Sequence, residues 1–70
     1  MERLAVKSTE IAIVGYDRPS QKLEITFRKG GVYLYDGVPE AIHQELLNAP
    51  SIGTYFTQKI KDQYACTKVH

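Results

Sequence analysis

The chain offers little of what most catalytic or metal-binding chemistry uses. Its 70 residues include one cysteine, Cys66, no tryptophan, and two histidines, His43 and His70. A lone thiol excludes an internal disulfide and any multi-cysteine metal site. No apolar run approaches the ~18 residues of a membrane span. No basic start leads into a signal-like core, so the expected location is the cytoplasm. Nine basic against eight acidic residues leave a formal charge of +1, which gives no global field to draw in nucleic acid or membrane. Length is short too. Residues 1–70 make a single domain, and a chain of this size buries only about 60% of its unfolded surface. With no disulfide or metal to staple it, tight packing or self-association must supply the stability.

What the sequence does have is pattern. EIAIVGY (10–16) is rich in β-branched and aromatic residues and reads as a strand. DRPSQ (17–21) is turn chemistry, with Asp17 able to cap a turn and Pro19 fixing φ. KLEITFR (22–28) alternates without a break: Leu23, Ile25 and Phe27 on one face, Lys22, Glu24, Thr26 and Arg28 on the other. That is a strand with one face on a core and one wet. Lys29-Gly30-Gly31 suits a tight hairpin, since glycine takes positive φ without strain, and VYLYD (32–36) is the third strand.

At Pro39 the period changes. Proline suits the first turn of a helix and Glu40 its positive end. Val38, Ile42, Leu46 and Ala49 form one apolar stripe, with Ala41 flanking, and Pro50 ends the helix. Ser51 is a good N-cap for a second helix, whose stripe is Ile52, Phe56, Ile60 and Tyr64. ACTKVH alternates weakly and is either a short edge strand or a disordered tail. The fold class expected is α+β: a three-stranded antiparallel meander, then two helices packed together on the Leu23/Ile25/Phe27 face, with a short C-terminal edge strand as an addition.

Tyr33 and Tyr35 share a strand face, and the hairpin register decides which. A two-residue loop sends Val32 and Leu34 to the core and leaves the tyrosines outward as a stacking platform. A three-residue loop at Lys29–Gly31 sets Tyr33 opposite Phe27 and Tyr35 opposite Ile25, both inward. Both registers are open to adjacent glycines. A second candidate is Ser51-Ile52-Gly53 at a helix start, where free N–H groups can hold an anion, with Lys59 and Lys61 further along; ordinary capping is the competing account. Arg28 and Lys29 at the hairpin tip are a third. Arg18 and Lys22 belong to the other turn, so a continuous basic stripe is not expected. His43 lies one position off the apolar stripe, as a boundary residue. Neither histidine has a nucleophile at useful spacing, Glu40 and Glu45 lie on different helix faces, and Cys66 is incidental.

These residues, in order, resemble the KTSC domain family, short bacterial domains also found at the C-terminus of some lysyl-tRNA synthetases. The resemblance runs from Val6, Ser8-Thr9 and Ile11 through Val14-Gly15-Tyr16-Asp17, Leu23-x-Ile25-x-Phe27 and the hairpin glycine. It continues with the central Tyr33-x-Tyr35, Val38-Pro39, Ala49-Pro50-Ser51-x-Gly53-x-Tyr55-Phe56, Ile60-Lys61 and Tyr64. Thr9 replaces a commoner serine and His43 a commoner aromatic. The residue between the family's two tyrosines is often polar, which favours the inward register. The family is functionally uncharacterised, and its link to a tRNA synthetase implies RNA as a ligand. The expectation is therefore a small non-enzymatic binding module, with no cofactor or metal, for RNA or another polyanion. Its surface would draw on Tyr33, Tyr35, Arg28, Lys29, Ser51, Gly53, Lys59 and Lys61. The alternative is a protein-interaction or homodimerisation module using an open aromatic sheet face.

Overall fold

The computed structural model describes residues 1–70 as one antiparallel sheet with two helices on a single face. The strands are β1 (Glu2–Ala5), β2 (Ile11–Asp17), β3 (Lys22–Phe27), β4 (Val32–Tyr35) and β5 (Cys66–Lys68); the helices α1 (Glu40–Asn48) and α2 (Ile52–Lys59) lie between β4 and β5. The sheet order is β1-β2-β3-β4-β5, so each strand pairs with its neighbour in sequence. The α+β class and the two helices on one face match expectation. The sheet, however, has five strands and not three. β5 is the anticipated edge strand, pairing Tyr35 with Cys66 and Tyr33 with Lys68. β1 was not anticipated: all four of its residues are exposed, so it carries no buried face to imprint a period on the sequence.

The register sorts every side chain. Val14, Ile25 and Tyr33 form one row across the helix-covered face, and Tyr16, Leu23 and Tyr35 the next. Arg3, Gly15, Glu24 and Leu34, then Ala5, Ile13, Thr26 and Val32, form the rows of the open face. A bulge between Ile11 and Ile13 shifts β2 by one residue, which turns Ile11 inward to complete burial. On the open side, Arg3 reaches across to Glu24 at 2.8 Å. Gly15 permits this: a Cβ there would meet Met1 Sδ at 2.9 Å and Arg3 Cγ at 3.2 Å.

The core joins Ile11, Val14, Tyr16, Leu23, Ile25 and Tyr35 of the sheet to Val38, Leu46, Phe56 and Ile60. Tyr16 donates to the Val38 carbonyl at 2.6 Å, fixing the entry to α1. Ser51 caps α2 as read, accepting from the Thr54 N–H at 3.3 Å. α2 ends at Lys59, and the chain turns before Tyr64, which still packs against the core. Tyr55 of α2 donates to Glu45 of α1 at 2.8 Å. His43 is a correction: it is no boundary residue but 8% exposed, stacked on Tyr16 with ring centroids 4.4 Å apart. Its Nδ1 is buried without a hydrogen-bond partner.

An aromatic cleft between the hairpin and the second helix

The β3–β4 connection settles the orientation of the tyrosines. The Phe27 N–H donates to the Gly31 carbonyl and the Gly30 N–H to the Phe27 carbonyl, both at 3.0 Å. The loop is therefore Arg28–Gly30, three residues long but one position earlier than the three-residue alternative above. Gly30 and Gly31 take φ of +108° and +96°, values that L side chains rarely adopt. Tyr33 consequently lies opposite Ile25 and Tyr35 opposite Leu23, both toward the helices. Tyr35 is only 4% exposed and Tyr33 half-buried, so no open aromatic sheet face exists. That expectation is corrected by the extra residue that the two glycines admit into the turn.

The tyrosines instead help to build a cleft. Phe27 meets Tyr33 edge-on at 5.5 Å and Phe56 at 5.6 Å, and Tyr35 meets Phe56 at 5.5 Å. Edge-to-face packing of this kind stiffens an aromatic wall. These rings, with Lys29 and Gly30 of the hairpin, Thr9 and Glu10, and Thr57 and Lys61, line a cleft of about 460 Å³. Lys68 stands 5.9 Å from the Tyr33 ring centroid, near enough for a cation–π contact. Burial pushes the Tyr35 phenol above its ordinary range, and the neighbouring Cys66 thiol adds to this. Tyr35 is thus a neutral hydrogen-bond donor or acceptor near pH 7 and not a base.

Of the eight sequence candidates, Lys29, Tyr33, Tyr35 and Lys61 converge here. Ser51 and Gly53 line a smaller adjoining hollow with Lys7, Ser8, Thr9 and Glu10. That hollow is already furnished with an anion. A Cβ on Gly53 would lie 2.9 Å from Glu10 Oε1, so the Glu10 carboxylate lies close beside the α2 start, where a ligand anion was expected. Arg28 is taken out of the candidate set: its guanidinium donates to the Ser8 carbonyl at 2.5 Å and the Val6 carbonyl at 2.9 Å. Lys59 lines neither space. Phe27 and Phe56 were legible only as core residues. Thr9, Glu10 and Thr57 gave no sequence signal, because their place depends on how the Val6–Glu10 segment folds over α2. No three His, Cys, Asp or Glu side chains converge anywhere, and no helix is long and apolar enough to cross a membrane.

The fold and its cleft define a small α+β domain with one aromatic, lysine-rimmed recess between a hairpin and a helix. The KTSC domain model matches residues 7–64, and the chain belongs to that family. It is 42% identical to a KTSC domain protein of Yersinia pestis whose crystal structure superposes with a TM-score of 0.95, covering 99% of this chain and 97% of that one. An uncharacterised protein of Stutzerimonas stutzeri is 41% identical over 64 residues, 91% of this chain and 90% of its own length. A lysine–tRNA ligase of a Nostoc species is 43% identical over 49 residues, which are 70% of this chain but 9% of the ligase.

Proposed function

We propose that the chain is a small non-enzymatic binding module whose hairpin–helix cleft takes single-stranded RNA. The observation that carries this reading is the convergence of the half-buried Tyr33 and Phe27 with Lys29 and Lys61 on one recess, backed by the buried Phe56. Aromatic groups accept bases by stacking, at about 1–3 kcal/mol per base, and flanking cations hold phosphate. The matching segment in lysine–tRNA ligases agrees with an RNA ligand. The cleft's titratable groups are Lys29, Lys61, Glu10 and the two tyrosines, and Thr57 spends its hydroxyl proton on the Gly53 carbonyl at 3.0 Å. That set suits holding a ligand better than reacting with it.

Fluorescence anisotropy of a labelled RNA about six nucleotides long tests the reading. Affinity falls as salt rises and falls again in a Lys29→Met/Lys61→Met double variant. A response indifferent to both changes removes RNA as the ligand. Self-association on adding salt, with no RNA response, instead favours a dimer through the open sheet face, where Ile13, Val32 and Leu34 stand outside the core.

A further inference from the structure

Charge around the cleft also bears on how much of a strand it can engage, and this inference rests on the reading just given. We propose that the cleft recognises one terminal nucleotide, with its base against the Phe27–Tyr33 wall and its terminal phosphate at the rim supplied by Lys29 and Lys61.

Four of the nine basic residues that could make a longer track are committed elsewhere. Arg3 pairs with Glu24 at 2.8 Å, Arg18 with Glu40 at 3.0 Å and Lys22 with Asp36 at 3.2 Å. Arg28 is held by two backbone carbonyls. Arg18 and Lys22 flank the β2–β3 turn, at the other end of the sheet from Lys29. Of the other five, Lys29 and Lys61 line the recess, Lys68 stands beside the Tyr33 ring, and Lys7 and Lys59 lie outside it, so the recess itself holds cations for one or two phosphates. The adjoining hollow offers a phosphate backbone little net attraction, since Lys7 there is offset by Glu10. Glu10 lines both the cleft and the hollow at the α2 start, and its carboxylate lies close against Gly53, where it repels a second phosphate. A space of about 460 Å³ lies within the ~300–1,000 Å³ of small-molecule sites. The Glu10 carboxylate, an acceptor when ionised, favours bases with exocyclic amines over uracil.

The test titrates the full chain with adenosine, adenosine 5′- and 3′-monophosphate, and hexa-adenylate with and without a terminal phosphate, across a salt series. One of the monophosphates binds within about threefold of the matching phosphorylated hexamer, and adenosine binds at least about tenfold more weakly. The slope of log affinity against log salt lies near −0.7 to −1.4, as for one or two phosphates. Lys29→Met/Lys61→Met erases the advantage of monophosphate over adenosine, while Lys59→Met, outside the cleft, keeps it. Affinity that climbs with length, a slope steeper than about −2, or equal binding of the unphosphorylated hexamer overturns end recognition yet leaves RNA binding standing. No binding of any probe overturns both.

Discussion

At the scale of single residues, His43 is where the molecule departs most from the economy of its core. Its ring stacks on Tyr16 at an interplanar angle of 12°, but its Nδ1 is buried with no partner. Burial lowers its pKa below the ordinary 6.5; Glu40 and Glu2 pull it upward and Arg18 downward. The unfolded chain therefore holds the proton more readily than the folded one. Stability from the neutral imidazole is complete above pH 6.5 and declines as pH falls through that value toward the lower folded pKa. His43→Phe keeps the stack and removes the orphaned nitrogen. Denaturant titrations should show it more stable by about 1 kcal/mol near neutrality, with a flatter decline as pH falls below 6.5. A variant that is less stable and has the same pH slope would mean that Nδ1 is satisfied. The sequence spacing of Val38, Ile42 and Leu46 pointed the helix slightly askew, because a histidine beside an apolar stripe is read as polar. Tyr16, far away in sequence, supplies the partner that makes a ring at that position worth burying.

Among the elements, α2 does the most to form the site, and its start is set by Ser51. The hydroxyl accepts from the Thr54 N–H and donates to Thr54 Oγ1 at 3.0 Å, so Ser51→Ala is expected to cost about 1 kcal/mol, read as a lower denaturation midpoint. Ala at Ser51 should also loosen Phe56 and Thr57, which line the cleft from the same helix. This cap was legible because a serine directly after proline, with an apolar stripe beyond, has one local meaning. The β3–β4 hairpin was legible only in part. Two adjacent glycines, both at positive φ, permit more than one loop length, and parity alone decides whether Tyr33 and Tyr35 point in or out. The inward answer depends on Phe27 closing its hydrogen bond with Gly31, a tertiary choice. β1 left no trace because none of its side chains is buried. Likewise, Lys29, Tyr33, Tyr35 and Lys61 could be named as site residues from the sequence, but not that the Glu10 carboxylate would lie close against Gly53.

For the whole molecule, stability and function draw on the same few residues. A chain of 70 residues has a margin of roughly 4–10 kcal/mol at typical per-residue stability. Leu46 is fully buried, and Leu46→Ala should cost about 3 kcal/mol by transfer and cavity terms, a large part of that margin. Thermal denaturation would then show a broad, low transition; an unchanged midpoint would mean that the helices are not anchored through Leu46. The same thin margin explains why the aromatic residues serve twice. Tyr35 and Phe56 close the core and also line the cleft, so the recess is rigid without a dedicated scaffold.

The most direct test of the account is a backbone amide NMR titration of the labelled chain with a short single-stranded RNA at low and moderate salt. Shifts should cluster at Thr9, Glu10, Lys29, Gly30, Tyr33, Thr57 and Lys61 and fade as salt rises. Shifts confined to Gly15, Glu24, Thr26, Leu34 and Thr67 on the open sheet face, or none at all, would contradict it.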